Sequence, residues 1–375
     1  MLPISVCIIS KNEEEHIEEC CRRLTAYGLE IVLTDTGSTD RTVEIARKYT
    51  DRIYHYNWCD NFSAAKNYCM QKASHDWILS IDCDEYIESL DEGALLHCME
   101  CSPDAAGRIL IRNRFTLDGQ TSFEQVRVSR FVNRRYFQFA GAVHEQLVYR
   151  SQSMAPVASP ATAPSIHMDK DSNVTPVKVY PAPITILHVG YDISEEKMQE
   201  KCRRNITLLK QELNTEGPDP YLYYQLGQSC RRMKDYEQAA HYFDAGLSMD
   251  VDPALDYVQT MVESYGYTLL DLKQFREALY LLGVYDEFSK RADFVFLMGL
   301  IYMNNGLFDA AIEEFQKSTL MEEFAVEGVN SYKALYNIGV IYECSHHIPE
   351  AIEAYHKCGD YEPAVVRLQH LLPMA

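Results

Sequence analysis

No apolar run in this 375-residue chain approaches the roughly 18 residues of a membrane-spanning helix, so no membrane span is expected. The opening stretch MLPISVCIISKNEEE lacks a basic n-region and a small-residue cleavage site. It reads as a first strand and not as a signal peptide. The phosphate-cradling patterns GxxxxGK[ST] and GxGxxG are both absent. That argues against a nucleotide hydrolase or nucleotidyltransferase built on such a turn. Positive charge is scarce: 35 Lys and Arg stand against 55 Asp and Glu, a net −20, which argues against broad nucleic-acid binding. Cys98 and Cys101 form a CxxC with no second pair at zinc-ribbon spacing, and this reads as a helix interior. Twelve cysteines without an export signal indicate reduced thiols and a cytoplasmic protein.

What is present divides into two domains, as the length leads one to expect. Residues 1–90 alternate strand and helix: ISVCIIS, a helix to about Tyr27, EIVLTD, RTVEIARKY, RIYHY, NFSAAKNYCMQKAS with Ser63 as its cap, and WILSID. Strands of continuous apolar residues alternating with helices predict a parallel sheet covered on both faces. Ligands of such sheets bind at the carboxyl ends of the strands. Those ends carry Lys11-Asn12-Glu13, Asp35 and Asp82-Cys83-Asp84, which should therefore meet on one edge. Asp40 reads as a helix cap. The crowding of Asp82, Asp84 and Glu85 calls for a cation or a proton among them.

From 108 to 150 the pattern turns to β segments. Seven arginines lie between Arg108 and Arg135 against only Asp118 and Glu124, a local excess that could hold an anion or form a solvated strand pair. Residues 151–183, with six prolines from Pro156 to Pro183, read as a long mobile loop. ITILHVGY returns as a strand, and 194–217 as a linker helix capped at Ser194. Residues 218–375 repeat a pattern of Gly, Ala twelve positions on, and a large apolar residue four later. It fits Gly227–Ala239–Phe243, Gly266–Ala278–Leu282, Gly299–Ala311–Phe315 and Gly339–Ala351–Tyr355. Small residues on paired helices let the backbones approach, and a ring fills the next layer.

The repeats resemble the tetratricopeptide repeat, an all-α solenoid that offers a groove for peptides or a surface for self-association into homo-oligomers. Residues 1–193 resemble the family 2 glycosyltransferases of GT-A fold. The carriers are CIISKNEE (7–14), TDTGSTDRT (34–42), NFSAAKN (61–67), SIDCDE (80–85), FAGAVHEQL (139–147) and ILHVGY (186–191). Thr34 stands where the family more often has a first aspartate, so only Asp35 is carried over. The joining of such a domain to repeats is similar to sublancin-type peptide S-glycosyltransferases, and the VHE segment resembles lipopolysaccharide-core β-glucosyltransferases.

The resemblance implies transfer of a sugar from a nucleotide-diphosphate donor, by family habit UDP-linked, to a peptide or protein acceptor; a glycan acceptor and a non-catalytic adaptor are the alternatives. Charge building on the leaving diphosphate needs a hard divalent cation, Mn²⁺ or Mg²⁺, for which a short DxD with the diphosphate as co-ligand is sufficient. The resemblance implies that Asp84 and His188 bind the metal and that Asp82 binds ribose or metal. It implies that Asn12, Glu13 and Asp35 line the nucleoside pocket and that Lys66 lies near base or phosphate. Arg130 is grouped with the nucleotide-sugar contacts. Inversion requires a base, and Glu145 is the candidate, with His144 orienting it or touching the acceptor. A salt bridge from Glu145 to Arg127, Arg130 or Arg134 is the competing reading.

Overall fold

A computed structural model describes residues 2–117, 120–143, 145–150, 177–190 and 195–372. His144, Ser194 and residues 151–176 of the expected loop lie outside the described residues. The chain divides into two compact units, Met1–Ser194 and Glu195–Ala375.

The first unit is built on an eight-stranded sheet. Its strands are β1 (Ile4–Ser10), β2 (Glu30–Asp35), β3 (Ile53–His55), β4 (Trp77–Ile81), β5 (Glu85–Leu90), β6 (Ala106–Leu117), β7 (Gln120–Asn133) and β10 (Val179–His188). Their order is β3-β2-β1-β4-β7-β6-β10-β5. β1, β2, β3, β4, β6 and β10 point one way; β5 and β7 run against them, so the sheet is mixed where a parallel one was expected. The physical reason for β7 is its short connection to β6, which permits only an antiparallel pair.

Alternation along β1 sends Val6 and Ile8 to one face and Cys7 to the other. Helices α1 (Ile17–Ala26), α2 (Thr42–Ala46) and α4 (Glu92–Cys101) cover the first face. Helix α3 (Phe62–Lys72) and the ribbon of β8 (Phe137–Ala140) with β9 (Gln146–Tyr149) cover the second. The cap of α3 is Asn61, whose side chain accepts from the Ala64 amide at 2.8 Å, and not Ser63. Ser63 instead donates to the Gly141 carbonyl at 2.5 Å. β10 begins at Val179, five residues before the expected strand. Its prolines 181 and 183 precede Ile184, where pairing with β5 starts, so neither interrupts a ladder with β5.

The second unit is helical. Helix α5 (Glu195–Glu216) packs on α6 (Pro220–Arg232), and pairs follow: α6 with α7 (Tyr236–Leu247), α11 (Ala292–Asn304) with α12 (Phe308–Ser318), α13 (Tyr332–Cys344) with α14 (Ile348–His356). α15 (Glu362–Leu371) closes the array. The repeat pattern has a direct packing cause. A Cβ on Gly227, Gly299 or Gly339 would sit 2.4, 2.6 or 2.5 Å from the ring of Phe243, Phe315 or Tyr355. The second repeat departs from this. After α8 (Asp256–Asp271) and α9 (Phe275–Ala278), residues Leu279–Val284 tighten into a 3₁₀ turn before α10 (Tyr285–Phe288). Three residues per turn bring Leu281 under Gly266 and turn Leu282 outward, 44% exposed.

Gly299→Ala therefore forces Phe315 aside in a filled core, at a cost of about 1–3 kcal/mol. Gly283, where a Cβ meets nothing within 4 Å, supplies the control. Urea unfolding should show a lowered midpoint for Gly299→Ala and none for Gly283→Ala.

Candidate active site

The expected co-location at the carboxyl edge follows from the strand directions. β1 ends at Ser10 beside Asp35 of β2. Past that end Asn12 takes a left-handed φ of 56°, a conformation Asn tolerates better than most residues. Its side-chain oxygen accepts from the Thr39 amide at 2.8 Å, and its own amide donates to Ser38 Oγ at 3.0 Å. Asp35, 7% exposed, accepts from the amides of Gly37 and Ser38 at 3.1 and 3.2 Å. The Glu13 amide donates to Thr42 Oγ1 at 2.7 Å. Asp40 braces this corner by accepting from the amides of Glu14 and Thr42, one position ahead of the Arg41 cap. Asn12, Glu13 and Asp35 thus share one walled corner. His55, the register partner of Asp35, joins them with Nδ1 at 3.7 Å from its carboxylate.

A second group forms where β4 ends. Pairing of Leu79 with Phe131 brings Arg130 beside the end of β4. Gly107 pairs with Phe131 and Arg108 with Ser129, so Arg130 is the extra residue of a bulge, a device that re-aims a side chain. Its Nη2 lies 3.7 Å from Asp82, while its buried Nη1 has no hydrogen-bond partner among the described residues. Burial works against the Arg130 charge, but Glu85, Asp82, Glu145 and Asp84 outweigh it and raise its pKa.

Lys66, 4% exposed, projects from α3 and bonds Glu145 directly, with Asp82 at 3.7 Å. The reason the two motifs meet is local. α3 clasps the segment before Glu145 through Asn67 with Phe139, at 2.8 and 2.9 Å, and through the Phe62 amide to the Ala142 carbonyl at 2.8 Å. Burial pushes the Glu145 carboxyl up, but Lys66 and then Arg130 pull harder and hold it below the usual range. The ion pair of Glu145 is therefore with Lys66, with Arg130 as a neighbour, and Lys66 bridges two carboxylates. Glu85, 3% exposed, accepts from the Asp82 amide at 2.9 Å and fixes the turn; burial raises its pKa. Burial also pushes the Cys83 thiol well up, so it stays protonated between the aspartates.

Asp84 and His188 form the third group. His188 Nε2 lies 3.4 Å from Asp84 Oδ2, and its Nδ1 lies 2.8 Å from Asn113 Oδ1. An amide oxygen only accepts, so Nδ1 carries the hydrogen and Nε2 of a neutral ring turns a lone pair toward the carboxylate. Two lone pairs facing each other ask for a proton or a cation between them. Space is kept for this pair: a Cβ on Gly190 would fall 1.9 Å from Asp84 Oδ2 and 2.6 Å from His188 Nε2. Among the described residues no three of His, Cys, Asp and Glu gather as a cage for a metal. Two protein donors completed by diphosphate oxygens is the arrangement these residues can supply, and it fits Mn²⁺ or Mg²⁺.

His55, Asn113 and Gly190 receive no role from the sequence, which names Glu85 only as one of three crowded carboxylates. Glu85 and Gly190 sit inside the SIDCDE and ILHVGY segments, whereas the only signal for His55 and Asn113 is strand register.

Residues 5–136 match the family model described as glycosyl transferase family 2, and residues 220–252 and 292–323 match tetratricopeptide repeats. The chain is 28% identical over 259 residues to a TPR repeat-containing protein of Synechococcus elongatus, covering 68% of this chain and 60% of that protein. It is 25% identical over 264 residues to the SPbeta prophage-derived glycosyltransferase SunS of Bacillus subtilis, covering 66% and 54%. It is 27% identical over 157 residues to the lipopolysaccharide core biosynthesis glycosyltransferase LpsC of Rhizobium meliloti, covering 39% and 57%. The matches thus span little more than half the length of these relatives. No helix among the described residues is long and apolar enough to cross a membrane. The chain thus joins a GT-A-like mixed-sheet domain that matches glycosyl transferase family 2 over residues 5–136 to a helical region that matches tetratricopeptide repeats.

Proposed function

We propose that the protein is an inverting glycosyltransferase that moves a hexose or N-acetylhexosamine from a UDP-linked donor to a peptide or protein acceptor in the cytoplasm. The observation that carries this is the facing of Asp84 and His188 across the space that Gly190 leaves open, beside Asp82 on the edge where the strands end. A divalent cation bound there would neutralise charge on the leaving diphosphate. Asp84 and His188 would hold it, with Asp82 on the ribose or as a further ligand. Asn12, Glu13 and Asp35 would receive the nucleoside. Arg130, whose buried Nη1 has no partner among the described residues, would draw the donor's charge toward the bulge. Lys66 would hold Glu145 ionised, ready to take the acceptor's proton, and His144 would orient the acceptor.

The peptide acceptor is supported by the repeats and by the SunS likeness, and the cytoplasm by twelve free cysteines. A thermal-shift panel of UDP-, GDP- and dTDP-sugars with Mn²⁺ tests the donor. A UDP-sugar should raise the melting temperature through mass action, and EDTA should reverse the gain. Slow UDP-sugar hydrolysis that EDTA abolishes should accompany it. No shift with any nucleotide sugar, and no turnover, would leave a repeat-based adaptor.

A further inference from the structure

The register that builds the site also runs a row of side chains across four strands. Glu124 of β7, Asn113 of β6, His188 of β10 and Glu85 of β5 are direct partners in that order. Directly opposed residues share a sheet face, so Asn113 and His188 stand side by side by construction. Asn113 is 6% exposed, and its carbonyl oxygen lies 2.8 Å from Nδ1 of His188. Because that oxygen accepts, it selects the tautomer with hydrogen on Nδ1 and sets the plane of the ring. The opposite nitrogen is thereby turned to Asp84 at 3.4 Å, above Gly190.

We propose that Asn113 is a positioning residue that works through His188, fixing its tautomer and orientation so that Nε2 and Asp84 grip the divalent cation of the nucleotide diphosphate. This rests on the reading of Asp84 and His188 as metal donors. A histidine ligand commonly donates its other N–H to such a partner, and removing the partner typically weakens metal binding by about 10–100-fold. A merely structural Asn113 would fill the row between Glu124 and His188, and its loss would lower stability without touching metal affinity in particular.

The test is titration of the full chain with Mn²⁺ in the presence of UDP, with free Mn²⁺ read by electron paramagnetic resonance. Asn113→Leu removes the acceptor and should raise the Mn²⁺ dissociation constant by about 10–100-fold, and Asn113→Asp, which keeps an acceptor oxygen, should bind near the wild-type value. In a His188→Ala background Asn113→Leu should add nothing further, because both changes remove one unit. Asn113→Ser, smaller and too short to reach Nδ1, takes the place of the leucine variant if that one does not fold. Wild-type affinity in the folded Leu or Ser variant overturns the proposal. So does a loss that persists undiminished without His188. If the unmodified chain binds no Mn²⁺ with UDP, the metal reading itself falls; if it binds and Asn113→Leu binds equally, only the role of Asn113 falls.

Discussion

Asp84→Asn should lower Mn²⁺-supported turnover of the nucleotide sugar by about 10³-fold while leaving the melting temperature of the metal-free protein unchanged or slightly raised. The substitution keeps size and removes one charge from a crowded site. Asp82, Asp84, Glu85 and Glu145 converge on Lys66 and Arg130, so anionic side chains outnumber cationic ones. Deleting a carboxylate from such a set relieves like-charge repulsion in the free protein. What it removes is one of the two donors that face each other at 3.4 Å. Gly190→Ala supplies an independent arm, since it alters no charge. Its methyl would lie 1.9 Å from Asp84 Oδ2, so the carboxylate must swing away, and metal-dependent nucleotide binding should be lost as in Asp84→Asn. Calorimetric titration of UDP with and without Mn²⁺, beside thermal unfolding, separates the two effects. Undiminished Mn²⁺-supported turnover in Asp84→Asn would remove Asp84 from the metal site.

Features encoded within a few residues are legible in the sequence. Apolar runs ending in polar residues marked β1, β2 and β4, and their shared direction follows from the helices between them. The Gly–Ala–aromatic spacing marked the repeats because the clash of a Cβ with Phe243, Phe315 or Tyr355 is a local property of a helix pair. It gave the wrong leucine where the chain turned to 3₁₀, since periodicity assumes a regular helix. β5 carries no clear strand signal: EYIESL buries only its first three residues and follows the acidic turn without a break. The site divides the same way. Asp35 ends β2, and Asp82 and Asp84 follow the end of β4, so all three can be read directly. The contact of Lys66 with Glu145 spans 79 residues and depends on α3 seating against the β8 segment, while that of Asn113 with His188 spans 75 and depends on which strand lies beside which. The arginine-rich segment shows the limit most clearly. Seven arginines look alike in sequence, yet a one-residue bulge sends Arg130 into the carboxylates, while Arg112 pairs with Glu88 and Arg134 and Arg135 pair with Asp76.

Glu145→Gln should reduce kcat with saturating acceptor by about 10²–10⁴-fold and leave the donor dissociation constant nearly unchanged. Glutamine keeps the shape and can still accept from Lys66, but it cannot take a proton. A group that acts on the acceptor in the transition state contributes little to binding of the nucleotide. The environment adds a second expectation. Burial raises the Glu145 pKa and Lys66 with Arg130 lower it further, so the carboxylate is ionised at neutral pH. A carboxyl whose folded pKa is depressed contributes stability that is present above its unfolded pKa and is lost as pH falls through the folded value. Lys66→Met removes the strongest opponent of burial, so the Glu145 pKa should rise and the acid limb of the kcat profile should move to higher pH. Breaking one side of a buried pair also costs about 3–5 kcal/mol, so both variants should be assayed well below their melting temperatures. If Glu145 served only to hold Lys66, kcat in Glu145→Gln would stay near normal while stability fell. The acid limb would then not follow Lys66, and the search for the base would pass to Asp82, Glu85 and His144. A thiol acceptor would soften the kcat loss, because thiolate forms without help near neutral pH. A serine-for-cysteine exchange in the acceptor peptide would then restore the full dependence on Glu145.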